Sequence, residues 1–269
     1  MGSAKVRTIR TLGERIDMDE ERFLEVKNVS KFFGGVKAVN RVSFELQKGE
    51  ILGIIGPNGS GKTTLLNLIT GFVRKDLGKV LLKEKDITHW PPHKISDAGL
   101  VRTFQVVRPY ATLSAFKNLI PPLFSSRSRR NARGKLGDRD AVAIDLLEEV
   151  GFERDAYVPY KMAGSLPLGY LKRLEFARCL AMRPEIICCD EVFSGLSMAE
   201  IASMVPLVER LQKDGITLIM IEHRLRELFR VANRVLVMNF GEKIAEGIPR
   251  QVMRDKEVRR AYLGEEVEL

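Results

Sequence analysis

Apolar residues along this chain fall into two kinds of spacing, and the change from one to the other divides it. FLEVKNV (23–29), RVSFELQ (41–47), ILGIIG (51–56) and GKVLLK (78–83) are short runs broken by Gly-containing turns, which predicts a strand-rich first third. A helix is expected to begin at Lys62. Between about 100 and 183 the spacing becomes helical: DAVAIDLLEEVGF (140–152) ends on Gly151, and GYLKRLEFARCLAM (169–182) ends before Pro184. Strand patterns then return in EIICCD (185–190), ITLIMI (216–221) and RVLVMN (234–239), with helices expected near 198–213 and 223–232. Such alternation predicts a parallel sheet in an α/β fold.

Size agrees with that pattern, since 269 residues at 45% hydrophobic content bury a sizeable core as one large domain or two tightly joined lobes. The strongest apolar runs are strand-sized and fall short of the roughly 18–20 residues of a membrane span. The N-terminus carries no apolar signal stretch, and Val6 stands where a myristoylation motif needs Ser or Thr, so cytosolic residence is expected. Three cysteines cannot form a paired framework, and Cys188 and Cys189, inside an apolar strand pattern, read as small packed hydrophobes. The net charge of +9 suits nucleic acid, acidic lipid headgroups or an anionic ligand. Its densest patch, SSRSRRNARGK (125–135), reads as a solvated loop; phospholipid contact stays open there, and missing aromatic interleaving argues against nucleic acid.

One anionic ligand is specified by a motif. ILGII runs into GPNGSGKTT, which matches G-x-x-x-x-G-K-[ST] between a strand and a helix. The loop of Gly56, Pro57, Asn58, Gly59, Ser60 and Gly61 is expected to turn its free backbone amides, all but that of Pro57, around a β-phosphate. Lys62 then supplies charge to the β and γ oxygens, Thr63 supplies a hydroxyl ligand for Mg²⁺, and Thr64 completes the expected nucleotide-binding set. A plain Gly-rich turn would instead leave Lys62 at a helix start, against the dipole. Asp190 and Glu191 follow four buried-type residues in EIICCDE, where charge is costly unless a cation waits there. Asp190 is expected to hold the metal shell, and Glu191 to accept a proton from an attacking water. At 165–169, Ser-Leu-Pro-Leu-Gly opens onto a basic helix; with Pro167 in its first turn, the free amides make a second anion site.

With these residues in hand, the chain from Phe23 to Leu269 resembles the ATP-binding subunits of ABC transporters. The resemblance implies a P-loop NTPase (RecA-like) core with an antiparallel β subdomain and an inserted α-helical subdomain. It implies that Phe33, in SKFFGGVKAV, stacks on adenine, that Gln105, in VRTFQVV, is the glutamine loop and a further metal-site residue, and that His223, in IEHRL, is the switch histidine. It also implies that Leu166, Pro167 and Gly169 face the γ-phosphate of ATP held by a second ATP-binding subunit, identical or related. Membrane-spanning permease subunits are then expected in a groove beside Gln105, walled by RPYATLSAFKNLI, with a periplasmic or extracellular solute-binding protein involved indirectly. ATP and Mg²⁺ are the implied ligands, and the cytoplasmic face of the membrane is the implied location.

The division expected on this basis is a flexible extension over 1–22, a nucleotide-binding core over 23–100 and 184–245, a helical signature subdomain over 101–183 and a helical tail over 246–269. Departures from the family pattern are local. Where the family usually has LSGGQ, Leu166-Pro167-Leu168-Gly169-Tyr170 lacks the serine hydroxyl and one glycine, so weaker catalysis is expected at this half-site. Val192 replaces a common proline, and Ser197 a common aspartate. The phrases GLVRTFQ, RLEFARCLAMRP, IEHRL, IAEG and VRRAYLGEE are similar to the ATPases of branched-chain and other hydrophobic amino-acid importers, with urea or amide importers close by. The closing segment is also similar to lipopolysaccharide-export ATPases, and a soluble ATPase acting on nucleic acid or ribosomes is the rival from another class.

Overall fold

The computed structural model describes residues 7–8, 22–131 and 138–263. In chain order, β1 (Arg7–Thr8), β2 (Arg22–Phe33), β3 (Val36–Gln47) and β4 (Ile51–Ile55) lead into α1 (Lys62–Ile69), β5 (Leu77–Leu82), β6 (Lys85–Asp86) and α2 (Pro92–Asp97). Then come β7 (Leu100–Arg102), α3 (Ile120–Leu123), α4 (Ser126–Asn131), α5 (Arg139–Glu149), α6 (Leu168–Ala181), β8 (Ile186–Asp190) and α7 (Met198–Lys213). The remainder is β9 (Thr217–Ile221), α8 (Leu225–Val231), β10 (Arg234–Asn239), β11 (Glu242–Gly247), α9 (Pro249–Val252) and α10 (Lys256–Leu263). Two compact units result, Met1–Pro92 with Thr217–Leu269, and His93–Ile216.

The first unit holds a β3-β2-β5-β6 antiparallel sheet and a strand run β1-β11-β10-β4-β9. β4 pairs in parallel with both β9 and β10, as the alternation predicts, while β11 returns antiparallel to β10. Every residue of β4 and of β9 is buried. Central parallel strands are covered on both faces, which is why their sequences run apolar without alternation.

In the second unit β7 lies parallel to β8, with Val101 opposite Ile187 and Arg102 opposite Cys188. α5 starts on Asp138, whose carboxylate accepts from the Asp140 amide at 2.9 Å. α7 starts on a reciprocal capping box between Ser197 and Glu200. Each cap satisfies amides that have no partner inside the helix. Cys188 and Cys189 are fully buried within β8, and burial pushes the Cys188 thiol up to about 12.

Four expectations change in detail. Residues 126–131 of the basic patch form helix α4 where a loop was expected; Arg127 is held there by Glu185 at 2.7 Å and by the Arg183 carbonyl, and 132–137 lie outside the described residues. Most of the expected extension at 1–22 also lies outside them, but Arg7–Thr8 pair with β11. β11 carries the chain to Gly247 before the first helix of the tail begins. Pro167 stands at the N-cap of α6, one residue before its first turn. No helix among the described residues is long and apolar enough to cross a membrane.

Candidate active site

In the first unit, the turn from β4 into α1 is shaped by close backbone approach. A Cβ on Gly56 would fall 2.1 Å from the Met238 carbonyl oxygen, and one on Gly61 2.2 Å from that of Ala38. Both residues have positive φ, 152° and 99°, so only glycine fits either place. α1 has no side-chain cap and no acidic residue in its first turn, which leaves its amides and positive dipole end to an anion. The Lys62 ammonium is buried and donates to the carbonyls of Gly56 and Pro57 at 2.8 and 2.9 Å, inside the curve of the loop. The Ser60 hydroxyl is buried without a hydrogen-bond partner. Asn58, Gly59 and Thr63 are exposed, and Thr64 is half-buried.

Phe33 closes β2 opposite Val36, half-exposed, with the Lys31 ammonium 5.3 Å from its ring centroid. Lys31 also bonds Asp76, which together with the Phe32 amide holds that carboxyl below its ordinary range. His223 is exposed between β9 and α8, its carbonyl accepting from the Leu225 amide. Tyr262 of α10 is a residue that sequence reasoning missed. Burial pushes its phenol up to about 12, and the Gly56 amide against its oxygen acts in the opposite direction.

The second unit brings together the two acids and the glutamine. Asp190 ends β8 in full burial, and Arg102, at the end of β7, reaches its Oδ2 at 2.6 Å. Oδ1 of Asp190 is buried with no hydrogen-bond partner, an acceptor left for a cation. Glu191 follows with φ 52°, a left-handed conformation that costs a non-glycine residue about 1 kcal/mol or more. Its Oε2 accepts from Gln105 Nε2 at 2.7 Å. Lys172 of α6, 3% exposed, donates to the carbonyls of both Gln105 and Glu191, at 2.9 and 3.1 Å. The helix that reads as basic therefore spends its charges inward: Arg173 bonds the Val150 carbonyl and Ser203, and Arg178 bonds Glu175 and the Arg108 carbonyl.

At the start of α6, Leu166 is buried, whereas Pro167 and Leu168 are exposed. The expected open amide of Gly169 meets the Glu200 carboxylate, whose Oε1 would lie 2.6 Å from a Cβ at that position. The Ser197 hydroxyl first, then the Ser197 amide, with Gly169 adding to both, draw Glu200 below the usual carboxylate range. Arg102 and Lys172 went unread in the sequence because Asp190 lies 88 positions from Arg102, and Gln105 and Glu191 lie 67 and 19 positions from Lys172.

A family model described as ABC transporter matches residues 39–194, and one described as branched-chain amino acid ATP-binding cassette transporter matches residues 242–268. The probable branched-chain amino acid transport ATP-binding protein LivG of Archaeoglobus fulgidus is 36% identical over 246 residues, covering 90% of this chain and 96% of that protein. BraF of Pseudomonas aeruginosa, a high-affinity branched-chain amino acid transport ATP-binding protein, is 34% identical over 252 residues, 90% and 98% of the two chains. The lipopolysaccharide export system ATP-binding protein LptB of Escherichia coli is 32% identical over 246 residues, 91% and 99%. Among solved structures, a nucleotide-free ATP-binding cassette from an ABC transporter matches with TM-score 0.79 at 33% identity, covering 91% of this chain and all of that one. A dimeric bacterial ABC transporter cassette matches with TM-score 0.74 at 25% identity, covering 84% and 99%. With a phosphate-loop turn, an acid pair at a strand end, a family match over more than half its length and relatives above 30% identity over nine tenths of it, the chain belongs to the ATP-binding, ATP-hydrolysing subunits of ABC transporters, whose P-loop fold combines a mixed α/β core with a helical subdomain.

Proposed function

We propose that this subunit powers an importer of branched-chain or other hydrophobic amino acids. It works in a pair of ATP-binding subunits held at the cytoplasmic face of the membrane by permease subunits, and a solute-binding protein delivers the cargo. The observation that carries the catalytic part is the 2.7 Å contact between Gln105 and Glu191, directly after the buried Asp190. In this reading Lys62 and the α1 amides hold the β- and γ-phosphates, Phe33 stacks on the adenine, and His223 meets the γ-phosphate. Glu191 takes the proton from the attacking water while Gln105 fixes the direction of its carboxylate.

The donors fit Mg²⁺, because Asp190 Oδ1 is an unpartnered buried oxygen and the remaining candidates, the Thr63 hydroxyl and the Gln105 side-chain oxygen, are also hard oxygen ligands. When bound, the ion would neutralise charge on the phosphate oxygens. The amino-acid reading is supported by the match over 242–268 and by the names of the relatives at 36% and 34% identity. A lipopolysaccharide-export reading has the support of the relative at 32%.

The experiment is uptake by the chain with its permease and solute-binding protein reconstituted in vesicles. ATP-dependent accumulation of leucine is expected, and Glu191→Gln lowers ATP turnover by roughly 10²–10⁴-fold while ATP stays bound. Near-normal hydrolysis by that variant would remove Glu191 from its role. Absence of amino-acid uptake by an active complex would shift the substrate assignment.

A further inference from the structure

We infer that Lys172 is a positioning residue for hydrolysis, fixing the Glu191 and Gln105 backbones against α6. The inference rests on Glu191 being the general base.

Placing an ammonium at 3% exposure is costly unless hydrogen bonds replace the lost water. An apolar side chain of similar length would fill the same space without that cost, so the charge needs a reason. Its two carbonyl partners come from segments far apart in sequence and both belong to residues of the catalytic set. The Glu191 carbonyl is also the one that follows a left-handed φ of 52°, so its direction differs from that of an extended strand end. Besides Lys172, that oxygen accepts from the Ser194 amide at 3.2 Å. The carbonyl of Glu191 is thereby held by two donors at one oxygen.

Lys172 heads a ladder on one face of α6. Three residues on, Glu175 accepts from the Phe104 amide; three further, Arg178 donates to the Arg108 carbonyl; and Cys179 lies 3.5 Å from the Arg102 carbonyl oxygen. Spacings of three and four put these side chains on adjacent turns of the same stripe. Residues 102–108 are therefore tied to the signature helix through their main chain. Lys172 extends that tie to the acid pair.

The test uses the full-length chain in its assembled complex, carrying Lys172→Met, Glu191→Gln or both, with single-turnover hydrolysis, fluorescent-nucleotide affinity and thermal midpoint measured on each. Lys172→Met is expected to slow hydrolysis roughly 10–100-fold, as a small displacement of a catalytic group does, with ATP affinity within about threefold of the parent. Added to Glu191→Gln, it is expected to cause no further loss. Lys172→Gln, which keeps an amide donor on a shorter stem, repeats the comparison should the Met variant not fold. An equal loss when the Lys172 change is added to Glu191→Gln, or affinity falling in step with rate, assigns Lys172 to folding alone and overturns the inference. Normal turnover of Lys172→Met does the same while leaving Glu191 as base. Near-normal turnover of Glu191→Gln removes the base itself, and the inference with it.

Discussion

Glu175 is buried on α6, where loss of water raises its carboxyl above the ordinary glutamate range; Arg178, the Phe104 amide and Lys172 only partly offset that rise. A carboxyl raised on folding binds its proton more tightly in the native state. Its contribution to stability is therefore complete below the unfolded-state range and is lost as pH climbs through the raised native value. Glu175→Gln keeps the acceptor for the Phe104 amide and cannot ionise. Relative to the parent, this variant is expected to gain stability with rising pH across that window, with a slope of at most about 1.4 kcal/mol per pH unit for one proton, and then to level off. Urea unfolding of both proteins at a series of pH values checks this; a difference that stays flat or falls would place the group's burial cost elsewhere. Other residues at this scale differed in how openly the sequence announced them. Gly56, Lys62 and Thr63 were legible because a phosphate loop is written in eight consecutive positions, 56–63. Asp190 and Glu191 were legible because charge directly after an apolar strand is out of place. Arg102, Lys172 and Tyr262 carry no such local signature; each is defined by a partner that only the folded chain supplies.

Elements with one strong cause were read directly. β4, β8 and β9 are buried at every position, and burial on both faces writes a continuous apolar run. α4 was not, because a hexad with three arginines and two serines has no apolar stripe, and its helix is stabilised from outside by Arg127 on Glu185 and on the Arg183 carbonyl. The polar EKIAEG of β11 gains its strand form from pairing with β10. α6 was legible as a helix, but the direction of its charges was not. Its first residues are where an element-level change should show in function. With Pro167 at the N-cap there is no side-chain hydroxyl at that position, and Leu168 packs towards Gly195. We expect Pro167→Ser with Leu168→Gly to raise ATP turnover of the assembled complex about tenfold, the value of one added hydrogen bond to a charged group. Unchanged turnover would mean that this helix start does not limit the reaction. The gain is bounded, since Glu200 still holds the Gly169 amide.

At the scale of the molecule, the question is how a chain without a membrane-spanning helix among its described residues is carried by a membrane complex. The second unit displays a run of exposed apolar side chains along the glutamine loop and after it: Phe104, Val106, Tyr110 and Leu113 are all more than 40% exposed. The same segment is anchored underneath. Asn118 is fully buried and binds the Tyr110 amide at 2.7 Å and the Ser114 carbonyl at 2.9 Å, while Ala115 and Leu119 point into the core. Only part of the segment expected to wall a groove is therefore available to a partner, but that part is apolar, fixed and continuous with Gln105. A charge placed among apolar side chains that a partner covers is costly to bury. Val106→Asp with Leu113→Glu is accordingly expected to reduce co-purification with permease subunits at least about tenfold, and uptake with it. Nucleotide affinity of the separate chain should stay within about twofold, because neither side chain enters the hydrogen bonds around Lys62, Asp190 or Glu191 described above. If the double variant assembled normally, the permease would have to dock on another face; if nucleotide affinity fell as well, the segment would be serving the catalytic set before any partner.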